Sequence, residues 1–323
     1  MKSINVFIII VLFLSMVFCP LLSIKNEVPK TENPQNQSNV SITEQQSPDK
    51  IKVLRTKSKE IISVSREEYL VGVVSAEMSA DYSEEALKAQ AVAAFTFLCY
   101  RINGNTKLSY DITDSYESDQ TYISQDERKE KWKENFEQNE KKVKSAVDAV
   151  KGYIIAYDGK AIFAAYHSVS SGKTENGQTV FGEEFSYLSS VESAGDVLSS
   201  GYLNTVTVTK DEFAEKIKQN EITLSDDAEN WIGEIKRTET GMVALCKICD
   251  TEVEGTTLRK IFSLRSANFD LEYSDGNFIF TTRGYGHGVG MSQYGAQFMA
   301  LQGSNFIEIL SWYYPNCQLA TIK

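Results

Sequence analysis

No strongly basic cluster occurs in these 323 residues, whose formal net charge is −11 and sequence pI about 4.9. That argues against nucleic acid as a partner. The five cysteines, at 19, 99, 246, 249 and 317, are odd in number and unevenly placed. They do not form the framework of a disulfide-stapled domain. Cys246 and Cys249 lie in Val-Ala-Leu-Cys-Lys-Ile-Cys, which alternates like a strand, and positions three apart on a strand face opposite sides. No second Cys or His pair stands nearby to complete a zinc tetrad, so two separately packed thiols are expected. Regular βα alternation and internal repeats are also missing, which leaves an α+β pattern. At 42% hydrophobic content the chain is long enough for one large domain or two smaller ones with a real core.

Long apolar runs are confined to the start. Ile4 to Leu22 is almost continuously apolar after Lys2, and small residues are absent from the usual cleavage positions. This predicts an uncleaved membrane anchor over residues 1–24. Residues 25–50, rich in Asn, Gln, Ser, Pro, Thr and Glu, have no apolar period and read as a disordered tether. As a flexible coil it would span about 30 Å, holding the folded part off the outer side of a membrane. Residues 51–323 then form a single mixed domain, in which 101–152 is a largely helical subdomain.

The chain is organised around Ser65 to Phe97. Ser65 with Glu68 has the spacing of a capping box, so a helix starts at Arg66. Leu70, Val73, Val74 and Glu77 share one face of that helix. Glu77 is the odd member of an apolar stripe, where loss of water raises a carboxyl's pKa toward the range of a general acid. A lone glutamate near a helix end is more often exposed or salt-bridged, and spacing alone does not decide between the two. Ser79 to Tyr82 make a corner. Ser83 caps a second helix, with Glu84 and Glu85 as complements of its dipole. That helix is apolar almost all round from Ala86 to Leu98, which predicts burial, and Gln90 is its conspicuous polar exception.

Further on, Ser124 and Glu127 open a charged, largely solvated helix expected to run to Val150, with Val143, Ala146, Val147 and Val150 as its packing stripe. Asp158-Gly159 joins Tyr153–Tyr157 to a strand over 160–166 as a hairpin, delivering His167 to a polar loop ending at Gly182. Strands are expected at 205–209, 241–250, 258–266, 268–273 and 277–281, with a short helix capped by Thr209 and Glu212. Then comes Arg283-Gly-Tyr-Gly-His-Gly-Val-Gly-Met-Ser-Gln-Tyr-Gly-Ala296. It lacks the Lys-Ser/Thr ending of a phosphate loop and misses the dinucleotide spacing. Bare backbone beside Tyr285, His287, Ser292 and Gln293 suits a groove for a polar, extended ligand. The competing reading is a structural turn into a helix over 291–302.

Three stretches together resemble the SpoIID/LytB family, the stage II sporulation protein D group. They are Glu68-Tyr-Leu-Val-Gly-Val-Val-Ser-Ala-Glu-Met with Glu85-Ala-Leu-Lys-Ala-Gln-Ala-Val-Ala-Ala, then Tyr166-His-Ser-Val-Ser-Ser-Gly-Lys-Thr-Glu, and Gly284 to Ala296 nearly residue for residue. The resemblance runs from about Ile51 to the end. It implies a membrane-anchored lytic transglycosylase acting on peptide-stripped peptidoglycan strands during engulfment, with a cell-wall amidase and a membrane scaffold protein as partners. Glu77 is then the catalytic acid and base, and Gln90, Ser168, Lys173, Tyr285, His287, Ser292 and Gln293 are candidates for holding the substrate. No cofactor is implied. Some sporulation members bind zinc through His and Cys of the middle loop, but no Cys or second His accompanies His167 there, so no metal site is expected. Family members usually carry Pro where Ser79 stands, and many carry Arg where Phe95 stands. A glycan-binding module that activates the amidase without cutting is the alternative.

Overall fold

The computed structural model describes residues 40–41, 48–104 and 107–322. The expected anchor at 1–24 lies outside them, as does most of the expected tether. Among the described residues no helix is long and apolar enough to cross a membrane. Within the tether stretch, β1 (Val40–Ser41) pairs in parallel with residues 320 and 321, so that part has a fixed backbone partner.

The architecture is α+β, built from several small sheets around helices. After β2 (Lys50–Leu54) and β3 (Ile61–Ser65), helix α1 spans Arg66–Glu77. Ser65 Oγ accepts from the Glu68 N–H at 3.1 Å. The Glu68 carboxylate does not return to complete the box, because Arg128 holds it at 2.9 Å. Helix α2 (Glu84–Gly104) is the axis of the molecule, with Ala86, Leu87 and nearly every residue from Ala89 to Cys99 buried. It packs against α1, against the C-terminal helices and against the strand Tyr153–Tyr157, so its all-round apolar surface has a partner on each side.

β4 (Ile112–Thr113) joins the first sheet beside β2. The expected continuous helix to Val150 is two helices, α3 (Gln125–Trp132) and α4 (Phe136–Ala149), separated by a 3-10 turn. Lys133 takes a left-handed φ of 48° there, which breaks the hydrogen-bond ladder. The early part is also less solvated than its charge suggests. Arg128 is fully buried, bonded to Glu68, Glu140 and the Ile123 carbonyl. Val143, Ala146, Val147 and Val150 do join the main core.

The hairpin forms as β5 (Tyr153–Tyr157) and β6 (Lys160–Ala161), with Asp158 and Gly159 both at positive φ. Its second strand stops early. Tyr166–His167 is a separate strand, β7, and a short helix, α5 (Gly177–Phe181), interrupts the expected loop. A second core follows, formed by β8 (Leu203–Thr209), α6 (Lys210–Lys218), β9 (Ile232–Arg237), β10 (Val243–Ile248), β11 (Thr251–Glu254), α7 (Gly255–Ile261), β12 (Phe269–Ser274) and β13 (Asn277–Arg283). Phe213, Phe278 and Trp231 stack at its centre. The strand expected at 258–266 is the helix α7 and its exit. Leu258, Ile261 and Phe262 fit helical spacing, and Leu258 and Phe262 are buried in this core.

The chain then returns to the first core. β14 (Met291–Ser292) pairs in parallel with β7, and α8 (Gln293–Leu301), α9 (Phe306–Tyr313) and β15 (Gln318–Thr321) complete it. β15 sits between β1 and β5.

Candidate active site

Glu77 is the final residue of α1, partly buried, where the helix turns into the corner before α2. The corner stays tight without proline. Tyr82 N–H bonds the Ser79 carbonyl at 3.1 Å, and Ser79 Oγ accepts from the Asp81 N–H at 3.2 Å. Thr121 N–H donates to Glu77 Oε1 at 2.9 Å. From the far end of the sequence, Gln293 Nε2 lies 3.5 Å from Glu77 Oε2 and 3.4 Å from Gln90 Oε1. Both contacts are long, and they leave the amide loosely held between two acceptors. Burial pushes the Glu77 pKa up, while the Thr121 N–H, the Gln293 amide and the nearby Lys131 ammonium pull it back. The carboxyl is thus held above its ordinary range with donors in reach of its ionised form, which suits a group that gives and then takes a proton.

The wall behind it is a polar relay. Tyr166 OH donates to Gln120 Oε1 at 2.8 Å, and Gln120 Nε2 donates to Tyr69 OH at 2.8 Å and to the Ala94 carbonyl at 3.2 Å. Desolvation raises the pKa of both tyrosines well beyond the neutral range, so they stay protonated.

The glycine tract packs backbone against backbone. Tyr285 pairs with Val169, Glu175 N–H bonds the Gly288 carbonyl at 2.7 Å, and Met291 N–H bonds the Ala165 carbonyl at 3.1 Å. At Gly290, with φ 69°, a Cβ would drive into the Ala165 carbonyl. At Gly286, with φ 118°, it would lie 2.7 Å from His167 Cβ. The bare backbone therefore serves close apposition with the middle stretch. That apposition places Gln293 at the mouth of α8, facing Glu77.

The structure gathers Glu77, Gln90 and Gln293 into one place. Gln90 is fully buried behind Gln293, with no hydrogen-bond partner for its Nε2 among the described residues, so it orients the amide and does not face open space. Ser292 is also fully buried. Its Oγ donates to Asp196 at 2.9 Å and caps α8 by accepting from the Gly295 N–H. The Ser168 carbonyl accepts from Tyr294 N–H at 3.0 Å. Tyr285 is half-exposed, with the Arg265 guanidinium 5.5 Å from its ring.

His287 and Lys173 line a second cleft with Glu175, Thr240, Asn268 and Arg283. The His287 ring packs 5.7 Å from His167 and 5.3 Å from Phe181, and its Nδ1 accepts from Val289 N–H. Burial lowers its pKa to about 4 and that of His167 to about 3, so both are neutral at physiological pH. Lys173 has only a loose ion pair with Glu192, at 3.7 Å. Among the described residues no group of three His, Cys, Asp or Glu could hold a metal ion. Phe95 is buried with the guanidinium of Arg66 5.4 Å from its ring, and Arg66 opens α1 at the end opposite Glu77, about 16 Å along the axis.

Sequence reasoning missed Thr121, Lys131 and Glu175. Thr121 acts through its backbone, which no side-chain pattern reveals, and Lys131 hides in a run of alternating charges. Glu175 is 5% exposed and raised by burial to about 7. Its Oε1 accepts from Thr238 and Thr240, and its Oε2 has no hydrogen-bond partner among the described residues. A glutamate in the middle of a polar loop offered no hint of such burial.

Residues 55–157 match the family model described as Stage II sporulation protein. Stage II sporulation protein D of Bacillus amyloliquefaciens is 36% identical over 282 residues, covering 86% of this chain and 80% of that protein. Its counterpart in Bacillus subtilis (strain 168) is 36% identical over 278 residues, covering 85% and 80%. The amidase enhancer of Bacillus subtilis is 28% identical over 303 residues, covering 78% of this chain and 40% of that protein.

Proposed function

The chain belongs to the stage II sporulation protein D family, and from that premise we propose that it is a lytic transglycosylase. It cuts peptide-stripped peptidoglycan strands during sporulation, anchored in the cell membrane with its folded part on the wall-facing side. The observation that carries this reading is the partly buried Glu77 carboxyl, held by one backbone N–H and facing the Gln293 amide. Glu77 protonates the glycosidic oxygen between muramic acid and glucosamine as the bond to C1 breaks. It then takes the proton of the muramic acid 6-hydroxyl as that oxygen bonds C1, leaving a 1,6-anhydro end. An internal nucleophile needs no second carboxylate to activate water, and it gains from proximity. A cell-wall amidase that strips the peptides and a membrane scaffold are the partners this role calls for.

The full-length protein is incubated with stripped strands and the products weighed by mass spectrometry. Anhydro-ended fragments are expected from the native protein, and a loss of about 10²–10⁴-fold from a folded Glu77→Gln variant. A folded native protein that binds strands and yields no such ends would falsify the proposal. That outcome would favour the second reading, a glycan-binding activator of an amidase, to which the name of the Bacillus amidase enhancer lends support.

A further inference from the structure

Helix α3 meets α1 at two points. Arg128 binds Glu68 in the first turn of α1 at 2.9 Å, and Lys131 Nζ donates to the Ser75 carbonyl in its last turns at 2.6 Å. Residues 128 and 131 share a face of α3, as 68 and 75 share a face of α1. The two contacts are about 10 Å apart along α1, so α3 cannot slide without breaking one of them. Arg128 is anchored in turn by Glu140 of α4 at 2.8 Å. Lys131 is therefore held in place, although the residue as a whole is exposed.

The end of α1 calls for a cation. Its last carbonyls carry partial negative charge, no basic residue occurs in its own last turn, and Glu77 adds a carboxyl at the same spot. We infer that Lys131 is a positioning residue for Glu77: its ammonium, pinned on the Ser75 carbonyl, is the counter-charge against which that carboxyl releases and recovers its proton. The role rests on the reading of Glu77 as acid and base. The groups acting on Glu77 come from several elements. Lys131 reaches from α3, Tyr69 from α1 itself and Tyr166 from β7, while Gln293 and the Thr121 backbone supply neutral donors. Burial keeps both tyrosines neutral, which leaves the lysine to bring charge. The interaction is mutual, since desolvation lowers the Lys131 pKa and Glu77 opposes that shift.

The test is a titration of the full-length protein labelled with carboxyl-¹³C glutamate, with the Glu77 signal identified by its loss in Glu77→Gln. In Lys131→Met and Lys131→Gln the Glu77 midpoint should rise by about half to one pH unit, the effect of one partly screened charge. The alkaline limb of the kcat profile should rise with it, because the acid form then survives to higher pH. Lys131→Arg should keep the native midpoint and profile. An unmoved midpoint in the folded Met and Gln variants, or an equal move in the Arg variant, overturns the inference. Undiminished cutting by Glu77→Gln would instead overturn the acid–base reading on which it rests, and the titration tells the two failures apart.

Discussion

At the scale of single residues, the candidate site turns on how two amides and one backbone N–H treat a carboxyl short of water. Gln293 donates to the ionised form of Glu77, so Gln293→Ala should raise the Glu77 pKa and move the alkaline limb of activity upward. We expect kcat to fall about tenfold in the same variant, measured by release of anhydro ends, as an orienting contact is lost. The sequence marks Glu77 as an interruption of an apolar helical stripe without deciding between a buried and an exposed carboxyl; the structure makes it partly buried. Its surroundings were not legible, since Gln293 lies 216 positions away and no local pattern reports a contact of that span. Gln90 was legible as an oddity on an apolar helix, and its neighbour in space explains the oddity.

At the scale of elements, some helix starts were readable from the side chain that caps the backbone, while the complete box of Asn305 with Glu308 at the start of α9 went unread. Ser124 with Glu127 and Thr209 with Glu212 both form complete capping boxes. What escaped has more than one cause. The break at Lys133 is a local turn of the backbone at φ 48°, the helix at Gly255–Ile261 carries a helical spacing that was read as a strand, and β7 is paired by β14 from far along the chain. Three consequences can be measured at this scale by urea unfolding. Gly290→Ala should destabilise by about 3 kcal/mol, since it combines positive φ with a blocked Cβ. Gly276→Ala, at φ 77° with open space around it, should cost only about 1 kcal/mol. Arg128→Met should cost about 3–5 kcal/mol by leaving Glu68 and Glu140 unpaired in a partly dry site. Replacing both glutamates by glutamine in the same chain should recover most of that loss.

At the scale of the whole molecule, two cores are joined where Glu175 meets Thr238 and Thr240. Burial raises the Glu175 pKa from 4.5 to about 7, so between those values the folded state holds a proton that the unfolded chain has released. Its contribution to stability is thus complete below pH 4.5 and is lost as pH rises toward 7. Thermal unfolding of the native protein should show this decline, and Glu175→Gln should flatten it. An unchanged slope in the variant would assign the pH dependence elsewhere. The α+β class was legible from composition and the lack of alternation, whereas the partition into two cores was not. The strands at Ile232–Arg237 and Thr251–Glu254 carry weak patterns that only their pairing with Val243–Ile248 makes sense of.

The pairing of Tyr166–His167 with Met291–Ser292 also bears on when the protein becomes competent. A ribosome that has released the first 280 residues has made the acid but not the amide that faces it, nor the strand that brings the amide home. The gathering of Glu77 and Gln90 with Gln293 is in this way a late event, completed only once the strand that pairs with Tyr166–His167 is in place.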